Sequence, residues 1–134
     1  MPIVYALEPE LSAKEFRDVL IASTLAERRP VDDVKRLDRM LRQADVIVTA
    51  REGKKLVGIS RAITDFAYCC YLSDLAVDVA YQHKGIGKRL IEETRTNAGE
   101  CTTLVLVSAP AAESYYPKIG MQHRPSCWEI RRTI

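Results

Sequence analysis

A chain of 134 residues suits one domain with its own core, and 47% apolar with 28% charged residues excludes a disordered or low-complexity chain. A formal net charge of +2 is too small to indicate a nucleic-acid partner by itself. No run of about 18 apolar residues is present to cross a membrane, and the start MPIVYALEPE lacks the basic and apolar regions of a secretory leader, so a cytoplasmic protein with no membrane partner is expected.

Ile3 to Leu7 reads as a first strand. A helix follows: Ser12 can cap it, Glu15 can reach back to the Ser12 amide, and Leu11 and Phe16 can form the hydrophobic staple. Its pattern continues to about Arg28, and Pro30 breaks it. Asp32 or Asp33 caps a second helix with Val34, Leu37, Met40 and Leu41 on one face. Lys35, Arg36, Asp38, Arg39 and Arg42 on its other face read as a solvated surface rather than a polyanion site, because aspartates are interspersed. Val46 to Arg51 and Lys55 to Ile63 form a hairpin across Glu52-Gly53-Lys54. A long strand, Ala67 to Val79, follows.

After that strand comes a turn, Gln82-His83-Lys84-Gly85-Ile86-Gly87, and then a helix burying Ile86, Leu90, Ile91 and Thr94 and ending at Gly99. Lys88–Glu92 and Arg89–Glu93 are spaced as ion pairs on its exposed side. Thr102 to Val107 has the branched, continuous apolar character of a buried parallel strand. Ala111 to Ile119 reads as a short helix, Met121 to Trp128 as a strand, and Glu129 to Ile134 as a further one. This order implies one α/β domain over residues 1–134, a mixed sheet with helices on both faces. The four cysteines, Cys69, Cys70, Cys101 and Cys127, match no metal or disulfide spacing and read as reduced, mostly packing residues. His83 and His123 have no spacing for metal or triad chemistry.

A strand feeding a glycine turn that opens a helix can hold an anion. The first helical amides have no internal partner, the helix dipole is positive there, and glycine lets phosphate approach the backbone. The amides of His83 to Gly87 would be the donors, with Lys88 and Arg89 adding charge. The nucleotide loop GxxxxGK[ST] is absent, and Gly85-Ile86-Gly87 lacks the third glycine of the dinucleotide fingerprint. A glycine turn that merely starts a core helix also fits the hexad.

Two motifs carry a resemblance. Gln82-His83-Lys84-Gly85-Ile86-Gly87, preceded by Leu75-Ala76-Val77-Asp78, resembles the coenzyme A signature [Gln/Arg]-x-x-Gly-x-[Gly/Ala] of the GNAT superfamily of acyl-CoA-dependent N-acetyltransferases. Ala112-Glu113-Ser114-Tyr115-Tyr116-Pro117-Lys118-Ile119-Gly120-Met121 is similar to that family's A-x-x-F-Y-x-K-x-G-F, with Tyr115 in the phenylalanine place and Met121 in the final aromatic place. The resemblance spans about residues 46 to 128. It implies the GNAT fold, with a mixed, mostly antiparallel sheet and helices on both faces.

It further implies acetyl-CoA as cofactor, held by Gln82, His83, Lys84, Gly85, Ile86, Gly87 and Lys88 at the phosphates. Backbone groups of Leu75, Ala76 and Val77 are expected along the pantetheine arm, between splayed strands ending near Val79 and Val107. An amide near Val77 should face the acetyl oxygen. Tyr116 is implied as general acid and cofactor contact, while a packed core tyrosine remains the alternative. Relatives often carry asparagine where this chain has Ala109, with the cofactor-contact candidate Ser108 beside it, so a side-chain contact to the cofactor arm is expected to be missing or altered.

Deprotonating a primary amine at pH 7 costs about 4.6 kcal/mol. Asp74, Asp65 and Glu113 are therefore candidate bases, Asp74 foremost as a charge inside an apolar strand, with a structural pair to Arg61 as its alternative. Tyr68 and Tyr71 are placed to line an acceptor pocket or to pack on the sheet. The expected reaction is direct acetyl transfer to a primary amine of a small molecule, by a monomer or homodimer. A protein lysine or N-terminal acceptor, or an acyl-CoA-binding module without turnover, are the alternatives.

Overall fold

The computed structural model describes residues 1–134. In chain order the elements are β1 (Ile3–Leu7), α1 (Ala13–Ala22), α2 (Val34–Arg42), β2 (Val46–Glu52), β3 (Lys55–Thr64), β4 (Cys69–Val77), α3 (Ile86–Ala98), β5 (Thr103–Val105) and α4 (Tyr115–Lys118). The five strands form one sheet in the order β1-β2-β3-β4-β5. The first four are an antiparallel meander, and β5 returns parallel to β4 after α3. No helix is long and apolar enough to cross a membrane.

Local chemistry sets the helix limits. Ser12 Oγ accepts the Glu15 amide at 3.2 Å, and Leu11 and Phe16 are buried. The Glu15 carboxylate turns to Arg51, 2.8 Å away, rather than back to the Ser12 amide, so only half of the expected capping box forms. The first helix is also shorter than its pattern suggests. Ser23 Oγ donates to the Leu20 carbonyl and accepts the Leu25 amide, Thr24 turns left-handed (φ 72), and a 3-10 turn, Leu25–Arg28, continues the chain. Asp33 is the cap of α2, accepting the Arg36 amide at 3.1 Å. The basic and acidic residues of its outer face are exposed, as a solvated face requires.

Strand alternation divides two cores. On one face α1 and α2 bring Phe16, Leu20, Leu37 and Leu41 against Ile47, Ile59 and Ala76. On the other, α3 brings Ile86, Leu90 and Ile91 against Val46, Val48, Val57 and Leu72. The buried polar positions on the α3 side are satisfied: Ser60 and Thr94 hydroxyls lie 2.6 Å apart, and Thr64 Oγ1 donates to the Ala98 carbonyl. In β4 the register shifts by one residue. Arg61 pairs with Asp74 and Ala62 with Leu72, which leaves Ser73 unpaired as a bulge. Leu72 consequently faces α3 while Asp74 and Ala76 face α1.

Three expectations are corrected at the C-terminal side. β5 holds only Thr103–Val105, and it is half exposed rather than fully buried. The predicted helix over Ala111 to Ile119 is a 3-10 turn, Pro110–Ala112, followed by the four-residue α4, because Pro117 removes a helical donor. Met121 to Ile134 forms no strand; Met121 packs on the α3-side core, but Trp128, Ile130 and Ile134 are exposed, Trp128 at 92%. All four cysteines are free, but only Cys70 is buried, so the packing role holds for that one alone.

Candidate active site

The site is built where β4 and β5 part. They pair over three positions only, Cys69 with Thr103, Cys70 with Leu104 and Tyr71 with Val105. Beyond Tyr71, β4 runs on through the Ser73 bulge to Val77 with no neighbour on that side. A bulge bends its strand and increases local twist, which separates the two strands there. The gap leaves one edge of Leu72 to Val77 free for a ligand.

Backbone direction along that edge follows from one hydrogen bond. The Asp78 amide donates to the Val57 carbonyl of β3 at 2.8 Å. N–H groups of successive residues in a strand point to opposite edges. The Val77 N–H and C=O therefore face the gap, and those of Leu75 face the same way. Gln82 Nε2 donates to the Val77 carbonyl at 3.0 Å from that side. Gln82 thus ties the glycine turn to the strand end. Leu75 and Val77 side chains pack on the α3 core while Ala76 packs on the α1 core, so their backbone and packing roles coexist.

The turn itself has the conformation an anion cradle needs. Asp78 Oδ1 accepts the Ala80 amide at 2.9 Å and starts a 3-10 turn, Val79–Tyr81. His83 is left-handed at φ 65 and Gly85 at φ 80, and Gly85 is the residue from which α3 begins. A side chain at Gly85 would be strained by that φ, though nothing lies within 4 Å of its Cβ position. Gln82, His83, Lys84, Gly85 and Lys88 are exposed, Gly87 is half-buried, and the Ile86 side chain is buried beneath them, anchoring the turn to the core. Diphosphate needs several converging N–H donors and nearby cations, and this turn supplies both. The residues present fit the phosphates of a coenzyme A ligand.

Tyr81 adds a feature that spacing alone did not reveal. Its hydroxyl donates to Glu52 at 2.8 Å, and the ammonium groups of Lys55 and Lys84 lie 5.1 and 5.5 Å from its ring centroid. Lys55 is thereby brought from β3 to the base of the turn. On α3, Arg89 lies over the Tyr5 ring at 4.7 Å and pairs with Glu93 at 2.9 Å. The expected Lys88–Glu92 pair does not form, which leaves Lys88 exposed beside the turn.

Tyr116 packs on the α3-side core and is half-buried. Burial first, and the neighbouring Tyr115 second, raise its pKa above the ordinary phenol value. It therefore keeps its proton at neutral pH. Tyr115 meets it edge-on, with ring centroids 5.3 Å apart. Ser108 is half-buried on the chain leaving β5 and makes no side-chain hydrogen bond.

The base candidates separate clearly. Asp74 is fully buried, with Oδ1 held by Arg29 Nε and Oδ2 by Arg61 Nε. Arg29 also donates to the Ser73 carbonyl at 2.7 Å, and Arg61 to Ser73 Oγ at 3.0 Å. A carboxylate with both oxygens engaged by cations and no solvent access is poorly suited to remove a proton, so the expectation of Asp74 as base gives way to its structural alternative. Asp65 Oδ1 accepts the amides of Ala67, Tyr68 and Cys69, and those bonds hold its pKa down at about 2. It shapes the turn into β4. Glu113 is exposed and its side chain is unpaired. Tyr68 and Tyr71 are exposed, Tyr71 beside the end of the β4–β5 pairing.

Comparison with known proteins agrees with this geometry. A family model described as an acetyltransferase (GNAT) domain matches residues 13–125. An uncharacterized N-acetyltransferase, ycf52, of Pyropia yezoensis is 26% identical over 129 residues, covering 83% of this chain and 74% of that protein. Among solved structures, a probable acetyltransferase of Staphylococcus aureus superposes with a TM-score of 0.79 at 19% identity, covering 99% of this chain and all of the other. An aminoglycoside acetyltransferase from an uncultured soil metagenomic sample gives 0.74 at 20% identity, covering 98% and 96% of the two chains.

Proposed function

The chain belongs to the GNAT acetyltransferase family, whose members use acetyl-CoA, and we propose that it transfers acetyl directly to a primary amine of a small molecule. The observation that carries the reading is the parting of β4 and β5 beside the glycine turn, with the Leu75 and Val77 backbone facing the gap. Support for a small acceptor comes from the shared fold with an aminoglycoside acetyltransferase.

Bound acetyl-CoA supplies an acyl group activated as a thioester. The amides from His83 to Gly87, with Lys84 and Lys88, hold the phosphates. The Val77 amide, fixed by the β3 pairing of the next residue, is the donor for the acyl oxygen, where negative charge grows as the amine attacks. Tyr116 holds a proton at Oη for the departing sulfur, a contribution typically worth about 10²- to 10⁴-fold in rate. Glu113 is the carboxylate free to take up the amine's proton through water. No cysteine nucleophile is needed for direct transfer.

Calorimetric titration with acetyl-CoA, CoA and ATP, followed by thiol release against a panel of small amines, tests the proposal. Binding of acetyl-CoA and CoA but not ATP, with release dependent on one class of amine, is the expected result. Absence of acetyl-CoA binding removes the reading. Release with peptide amines alone replaces the small acceptor by a protein one. In Tyr116→Phe, turnover should fall while CoA affinity holds; equal turnover removes the phenol from the mechanism.

A further inference from the structure

Tyr115 stands where the family's pattern has phenylalanine, and its hydroxyl has a definite address. A Cβ built on Gly87 would lie 2.7 Å from Tyr115 Oη. Cα–Cβ bonds in a helix tilt toward its N-terminus. Gly87 is the second residue of α3, so the phenolic oxygen stands at the open, positive end of that helix, beside the glycine turn. The missing Cβ of Gly87 is what leaves room for it.

The chemistry of that oxygen is specified by its neighbours. Lys88 follows Gly87 in α3, and its amide is one of the helical donors without an internal partner. A phenolic hydroxyl at that place has its own proton to give. Burial raises the phenol's pKa, and the Lys88 amide offsets this only in part, so the proton is retained at neutral pH. Phenylalanine would fill the same space without a donor. The tyrosine thus adds a donor beside the amides that open α3.

We infer that Tyr115 is a cofactor-binding residue of this chain: its hydroxyl, seated beside Gly87 at the start of α3, donates a hydrogen bond to a phosphate oxygen of bound coenzyme A. The inference rests on the acetyl-CoA reading of the site. It separates the paired tyrosines by task. Tyr115 serves binding at the phosphates, and Tyr116 serves the departing sulfur. It also explains why Gly87, rather than the alanine the motif equally allows, accompanies a tyrosine at position 115.

The test compares wild type, Tyr115→Phe, Gly87→Ala and the double variant by calorimetric titration with CoA and by thermal melting without ligand. A hydrogen bond to a charged group is worth about 1.5–3 kcal/mol, which corresponds to roughly a 10- to 150-fold change in affinity. Tyr115→Phe should therefore weaken CoA binding at least tenfold while its ligand-free melting temperature stays within about 2 °C. KM for acetyl-CoA should rise with kcat nearly unchanged, the opposite split from Tyr116→Phe. Gly87→Ala should weaken binding in the wild-type background by displacing the hydroxyl, and should add little once that hydroxyl is gone. Unchanged CoA affinity in a folded Tyr115→Phe variant overturns the inference while leaving the family reading intact, as does strict additivity of the two substitutions. Failure of the wild-type protein to bind CoA removes both.

Discussion

Asp74 offers the sharpest separation between a fold role and a catalytic one. Its side chain is 0% exposed, and its partners Arg29 and Arg61 are only 20% and 9% exposed, so solvent screens neither pair strongly. Asp74→Asn keeps the shape but removes the negative charge, leaving two guanidinium groups beside a neutral amide. Removing one partner of a buried pair costs about 3–5 kcal/mol. For a chain of this size each kcal/mol moves the melting midpoint by roughly 3–5 °C, so a drop of about 10–25 °C is expected. Arg29 joins the loop between α1 and α2 to the bulge in β4, so the loss should also free that loop in hydrogen exchange. The assay is thermal melting with amide exchange, alongside the pH profile of thiol release measured well below the midpoint. A folded variant with an unchanged midpoint, and a rate loss that follows the acidic limb of the profile, would refute the structural role and restore Asp74 as base.

Other perturbations have signs fixed by the structure. Gly99→Ala places a Cβ 2.8 Å from the Phe66 carbonyl oxygen at a φ of 104, so backbone must move; a destabilisation of at least about 2 kcal/mol is expected in denaturant unfolding. The hydrogen bond from Arg51, opposed by burial, holds the Glu8 pKa below its usual value. Its stabilising contribution is present above the unfolded carboxylate pKa of about 4.3 and is lost as pH falls through the lower folded value, so Glu8→Gln should flatten the acid side of the stability curve. Tyr116 must be protonated to act and its pKa is raised by burial, so any alkaline limb of kcat due to this group should lie above pH 10. A limb near pH 8 that disappears in Tyr116→Phe would contradict that assignment.

The four-strand meander and α3 were legible because each has local markers: short apolar runs in the strands, Gly53 in the hairpin, Gly85 and Gly99 at the ends of α3. The glycine turn was legible for the same reason, since glycine and the preceding apolar strand are local signals. Long-range partners were not. Arg61 opposite Asp74 could be anticipated from the neighbouring strands, but nothing in the sequence joins Arg29 to a residue 45 positions away. Tyr115 over Gly87 was hidden similarly, although the departure from phenylalanine was visible. The strands expected after Gly120 show the converse error: apolar residues there satisfy a strand pattern, but no edge pairs with them. The first helix was overextended because Leu25 and Ala26 have high helical propensity, which conceals the left-handed turn at Thr24.

Ser73 makes the ligand slot separable from the fold. Removing that one residue would leave Asp74 opposite Arg61 and Leu72 opposite Ala62, with every side chain of β4 still on its present face. What would vanish is the bend, together with the Ser73 groups that receive Arg29 and Arg61. The straightened strand could then run alongside the segment after β5 and close its own free edge. A chain shortened by this residue would have a more regular β3–β4 pairing and, on the proposed reading, nowhere for a pantetheine arm to lie, so one inserted residue would separate a scaffold from an acetyltransferase.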